Sequence, residues 1–135
     1  MLRISSTLFL LIFCPTVASL LAEESVPAQE NEGRQFFLTK VQPLLKQKCF
    51  GCHGNGDKLE SEFDMRTRAG VLAGGEIGPG AVPGDLEESP IYQSVLRTGD
   101  LVMPPKDRNA LNKDEIAIVK QWVEMGLPWA EGEAN

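Results

Sequence analysis

The 135-residue chain has room for one compact domain once a leader and a tail are set aside. Its 13 glycines and 9 prolines indicate a high loop content and only a modest side-chain core. The formal net charge of −6 argues against nucleic acid as a partner and suggests that a charged partner presents a basic face.

Residues 1–22 read as a secretory signal peptide. Arg3 forms a minimal positive region, and Leu8-Phe9-Leu10-Leu11-Ile12-Phe13 starts an apolar run that Pro15 interrupts. Cleavage is expected after Thr16-Val17-Ala18 or after Leu20-Leu21-Ala22. The alternative is an uncleaved anchor, because Ile4 to Ala22 is just long enough to span a bilayer; membrane association is expected only in that case. Cys14 has Phe13 before it where lipid attachment needs a small residue, so it reads as part of the apolar run. Residues 23–31 are polar and acidic, contain Pro27, and read as a flexible linker. The domain itself is expected over residues 32–130, with 131–135 as a frayed tail.

From about Glu32 to Lys48 the pattern is helical. Phe37, Val41, Leu44 and Leu45 form one apolar stripe at helical spacing. Pro43 interrupts it, predicting a kink or a new helical turn with Pro43 near its first position. Either way the segment delivers the chain into Cys49-Phe50-Gly51-Cys52-His53.

That pentapeptide is C-x-x-C-H, the attachment signature of a c-type haem. Two thiols separated by two residues span the two vinyl groups on one edge of a porphyrin. The adjacent imidazole is then held beside the iron as an axial ligand. The competing readings are a thioredoxin-like dithiol and a zinc site. A zinc site usually needs four Cys or His ligands, whereas outside the motif the chain offers only Cys14, and His53 is its only histidine. A dithiol would want a βαβ context, which the sequence does not suggest.

Gly54-Asn55-Gly56-Asp57 turns the chain away. Leu59, Phe63 and Met65 are candidates for inward packing, and a short helix is expected near Arg66 to Leu72. Gly70 to Asp85 holds Gly70, Gly74, Gly75, Gly78, Gly80 and Gly84 with Pro79 and Pro83, but lacks the phosphate-loop pattern. It reads as an extended loop whose backbone passes close to something flat; in a haem protein the porphyrin is the candidate. Ser89 and Pro90 mark a helix start, Ile91, Tyr92, Val95 and Leu96 an apolar face, and Gly99 a stop.

Leu101-Val102-Met103-Pro104-Pro105 is the second chemical stretch. A thioether is a soft neutral ligand that suits haem iron, and a Met/His pair raises its potential. Met103 sits in a proline-rich loop and off any helical stripe, which favours ligation over core packing. Met65 and Met125 are the weaker candidates. The last helix is marked by Asn112 with Glu115 three residues on, a capping-box variant, and by Leu111 and Ile116 at staple positions. Ile116, Val119 and Val123 form its apolar face with Trp122 beside it; Gly126 and Pro128 end it, and Trp129 is expected to pack back.

Together these stretches resemble class I cytochromes c, and more closely the planctomycete-type cytochrome c domain, over about residues 34–130. The matching residues are Val41-Gln42-Pro43-Leu44-Leu45, Cys49 to Gly54, Gly74-Gly75, Pro83-Gly84-Asp85, Met103-Pro104-Pro105-Lys106, Leu111 to Glu115 and Gly126-Leu127-Pro128-Trp129. The resemblance implies an all-α cytochrome c fold, with terminal helices crossing and long Gly/Pro-rich loops around one covalently bound haem c. It implies thioethers on Cys49 and Cys52, His53 as proximal iron ligand, Met103 as distal ligand, and haem attachment in an exported, periplasmic or equivalent space. The function expected is a single-electron carrier between redox protein partners, not an enzyme. The alternatives are a dedicated electron-entry subunit of a larger oxidoreductase and, should Met103 not bind iron, a haem sensor or peroxidase-like domain.

Overall fold

The computed structural model describes residues 28–55 and 59–130; the leader and the frayed tail expected at the two ends lie outside them. The expected all-α class holds: among the described residues the elements are helices joined by long loops, with isolated bridges at Gly75–Gly78 and Val82–Asp85. Helix α1 spans Ala28–Phe36, so residues 28–31, expected in the linker, are helical.

The chain then opens into a π-helical turn, Phe37–Val41, before α2, Gln42–Lys48. Pro43 explains the widening. Its ring would clash with the carbonyl four residues back, on Thr39, in an unbroken α-helix. Winding the preceding turn wider moves that carbonyl aside; the Gln42 N–H donates to Phe37 O instead. Pro43 itself falls in the first turn of α2, where its missing N–H costs nothing. The helix therefore continues through the proline and carries Phe37, Val41, Leu44 and Leu45 inward on one side, all of them buried.

Helix α3 is the single turn Phe50–His53, α4 spans Arg68–Ala73, and α5 spans Pro90–Leu96. Helix α6, Lys113–Glu124, starts with the expected capping box: Asn112 Oδ1 accepts from Glu115 N at 2.9 Å and Glu115 Oε2 accepts from Asn112 N at 2.8 Å. Leu111 and Ile116 share an apolar cluster with Leu44, Val95 and Val119, as a staple requires. Gly126, at φ +83°, ends the helix.

The main core lies where α1 and the π-turn meet α6. Trp122 is fully buried, with its indole N–H donating to Pro128 O at 3.0 Å. Its ring lies 6.3 Å from Phe37 and 5.8 Å from Trp129, and Trp129 lies 4.3 Å from Phe37, centroid to centroid. Trp129 thus packs back as expected. Gly33 lets the first helix approach the same corner: a Cβ there would stand 2.8 Å from Pro128 Cβ. Arg68 on α4 reaches across to the far end of α6, donating from Nε to Leu127 O at 2.9 Å and from Nη2 to Gly126 O at 3.1 Å.

Helix α5 differs from expectation at both ends. Ser89 stands at the N-cap but makes no capping bond. Its hydroxyl is turned back into the preceding loop, accepting from Val82 N at 2.9 Å and lying 2.5 Å from Asp85 O. At the other end the helix stops two residues before Gly99, at Arg97, which takes the left-handed conformation (φ 59°, ψ 28°).

Candidate haem-attachment site

Helix α2 runs straight into the site. Cys49 N donates to Leu45 O at 2.9 Å, and Cys49 O in turn accepts from Cys52 N at 3.1 Å and His53 N at 2.9 Å. This one turn explains the spacing of the motif. Residues at i, i+3 and i+4 share a helix face, so Cys49, Cys52 and His53 are displayed together while Phe50 and Gly51 are turned elsewhere. Gly54 closes the turn, since a Cβ there would stand 2.7 Å from the Phe50 ring.

The two sulfurs differ in environment. Both are free thiols, but Cys52 is exposed whereas Cys49 is half-buried against the main core. Burial, reinforced by the neighbouring Cys52 and opposed by Lys48, pushes the Cys49 thiol up to about 12. The His53 imidazole is half-buried, and its ring centroid lies 5.3 Å from that of Phe63. Its Nδ1 is buried with no hydrogen-bond partner. Such an orphan is rare in a finished protein interior and marks a group whose surroundings are completed by something else.

The glycine loop presses on a flat side chain, Phe63. A Cβ on Gly80 would collide with the Phe63 ring, and one on Gly75 would stand 3.0 Å from Phe63 Cβ. The backbone of the loop thus backs Phe63, and Phe63 backs His53. Neither contact is visible in local sequence pattern; only the glycines hinted at a close approach.

Met103 is carried by a separate element, the loop after α5. Its N–H donates to Ser94 O at 3.0 Å, and the Met103–Pro104 peptide is cis. The side chain is half-buried and belongs to neither apolar cluster. The other two described methionines are placed differently. Met65 is 2% exposed inside the main core, and Met125 lies exposed at the end of α6, with its sulfur 3.8 Å from Gln121 Nε2. Arg97 was not singled out by the sequence, yet it is the loop's main tether: Nη1 donates to Pro104 O at 2.6 Å and Nη2 pairs with Asp107. A cleft of about 470 Å³ beside Phe50, Gly54, Lys46, Arg66 and Trp129 contains none of the four predicted site residues.

A helical domain that displays two free thiols and an orphaned imidazole from one turn offers the donor set that c-type haem attachment requires. Comparison with known families agrees. Residues 49–107 match the family model described as Planctomycete cytochrome C, which supports a planctomycete-type cytochrome c domain in this part of the chain. The match begins at Cys49 and ends at Asp107, so it contains α3, the glycine loop, α5 and the Met103 loop. No curated protein and no solved structure matched the chain. The family implies haem c, and the residues present fit it: two unpaired thiols at the required spacing and an imidazole nitrogen left without a protein partner. Among the described residues no helix is long and apolar enough to cross a membrane.

Proposed function

We propose that this protein is a single-electron carrier of an exported compartment, with one haem c tethered by Cys49 and Cys52 and its iron ligated by His53 and Met103. The observation that carries this reading is the contrast among the methionines. Met65 is sealed in the core, whereas Met103 is withheld from both apolar clusters and presented by a tethered loop.

When bound, haem c supplies a one-electron ferric/ferrous couple. The chain's own part is to hold it. The Cys49 and Cys52 thiols would hold it by thioether links to its two vinyl groups. Cys49 is fixed by the end of α2, Cys52 and His53 by α3, so the tether and the proximal ligand share one rigid turn. Met103 would supply the iron's other protein ligand, and an iron held by both His53 and Met103 would serve electron transfer rather than substrate binding. The acidic chain favours redox partners with a basic docking face.

The test is the optical spectrum of protein matured with a haem-attachment system. Covalently held haem and a ferric iron–sulfur charge-transfer band are expected, with the band lost in Met103→Ala. Absence of covalent haem would sink the proposal. A Met103→Ala protein that keeps the band would remove Met103 from the iron. Tight carbon monoxide binding by the unmodified protein would favour a sensor.

A further inference from the structure

We infer that Arg97 is the positioning residue for Met103: it clamps the Met103–Asp107 loop onto the end of α5 and sets how readily the axial thioether is released. The inference rests on the proposed Met103 ligation but concerns a residue outside the iron's coordination.

Three features converge on Arg97. Its own backbone ends α5 in the left-handed conformation (φ 59°, ψ 28°), an unfavourable choice for a residue with a side chain. That turn redirects the chain, and it leaves Ser94 O accepting from both Arg97 N at 3.3 Å and Met103 N at 3.0 Å. The guanidinium then spans the loop from the other side. It donates to the carbonyl of Pro104, the residue directly after Met103, at 2.6 Å, and pairs with the Asp107 carboxylate. Met103 is therefore gripped on both sides: its own amide is held by α5, and the next carbonyl is held by Arg97.

Leu101, Pro105 and Lys106 are exposed and Met103 belongs to neither apolar cluster; Pro104 is the one buried residue of the stretch, and its carbonyl is the one Arg97 holds. Pro104 and Pro105 also have no N–H to donate. Polar tethers, and chiefly the charge-assisted ones from Arg97, thus carry the loop's position. The Asp107 side chain is 95% exposed, so the Pro104 carbonyl, held by an Arg97 side chain that is 23% exposed, is the stronger half of the clamp.

A ligand that must displace Met103 binds with an apparent affinity set by the fraction of molecules in which the loop is already released. The experiment compares Arg97→Gly with wild type as full-length, haem-loaded protein. Glycine is at home in the left-handed conformation, so this variant removes the clamp without adding backbone strain. Apparent carbon monoxide affinity of the ferrous protein is expected to rise about tenfold, on the scale of one charge-assisted hydrogen bond. The ferric charge-transfer band should weaken, and the Met103 amide should exchange its hydrogen faster. Asp107→Asn is expected to give a smaller rise, about threefold. Should Arg97→Gly fail to yield haem-loaded protein, Arg97→Lys carries the test, since one ammonium cannot reproduce the two-pronged donation. Wild-type band intensity, exchange rate and carbon monoxide affinity in the haem-loaded variant would overturn the clamp. The Met103→Ala control separates the two failures. If it keeps the band, the axial assignment falls; if it loses the band while Arg97→Gly behaves as wild type, only the clamp falls.

Discussion

The terminal helices and the chemical loops of this domain are held by different forces. Where α1 and the π-turn meet α6, three aromatic rings, Gly33 and Pro128 interlock, and Trp122 and Phe37 are shielded from water. The Met103 loop is held instead by a backbone bond from Met103 N to Ser94 O and by the Arg97 side chain. Apolar packing is cumulative and nondirectional, so the frame tolerates the loss of a contact more readily than the loop tolerates the loss of a tether. The difference teaches where change is affordable. Under the proposed function, covalent attachment would need a rigid base and the axial ligand a presented one, and α3 grows from the frame while Met103 does not.

The sharpest test of that contrast lies within the motif itself. In the haem-free chain at pH 8, iodoacetamide should label exposed Cys52 at least about a hundredfold faster than Cys49, because burial keeps the Cys49 thiol protonated. Raising the pH toward 12 lets Cys49 ionise and should close the gap. Peptide mass spectrometry after timed quenching reads both sites, and equal rates at pH 8 would mean that Cys49 is not seated against the core. On the frame side, Trp122→Ala should cost about 3–5 kcal/mol in denaturant unfolding, since it opens the centre of the aromatic cluster. Met103→Ala should cost far less than that in the haem-free chain, because Met103 fills no core space; a comparable loss would erase the distinction between frame and loop.

The glycine loop gives an intermediate test. Gly80→Ala forces a methyl into the Phe63 ring and close to Val71 O at 2.8 Å. A loss of about 1–3 kcal/mol is expected, with the added signature of a changed His53 environment because Phe63 lies against that ring. Imidazole proton shifts in the nuclear magnetic resonance spectrum report it; unmoved shifts alongside a full stability loss would detach Phe63 from the site.

How much of this was legible in sequence follows from the range of the interactions. The capping box at Asn112 and Glu115, the staple at Leu111 and Ile116, the Gly126 stop and the one-turn display of Cys49, Cys52 and His53 are local, and local patterns specify them. Ser89 and Pro90 located the start of α5, but the Ser89 hydroxyl was claimed by Val82 and Asp85, a loop closure that helix-start rules do not register. The π-turn before Pro43 was foreseen only as a disturbance, because proline states where a helix must yield but not how. Arg97, Arg68 and Phe63 act across gaps in sequence. Arg68 reaches Leu127, and Arg97 reaches a carbonyl in a loop whose path no periodicity encodes. Gly99 was the more conventional stop, and it lost because Arg97 gains Pro104 and Asp107 as partners by turning early.

The smallest expected effects concern Glu115, where frame and site meet. One carboxylate oxygen closes the capping box on Asn112 N, and the other pairs with Lys48 Nζ at 3.3 Å, at the end of the helix that feeds Cys49. Both side chains of that pair are nearly as sheltered as each other, 17% and 18% exposed. Asn112→Ala should cost about 1 kcal/mol through the cap. Lys48→Ala should cost less, within the 0–1 kcal/mol of a pair still reached by solvent. Asn112→Ala removes the Oδ1 acceptor of Glu115 N but keeps the Asn112 N–H on Glu115 Oε2, whereas Lys48 uses Oε1, so the two losses should add in the double variant, to within about 0.5 kcal/mol. A larger coupling in denaturant unfolding would mean that the cap and the ion pair hold Glu115 as one unit. The start of α6 would then be tied to the root of the Cys49–His53 turn, and the frame and the candidate site would no longer be separable at this corner.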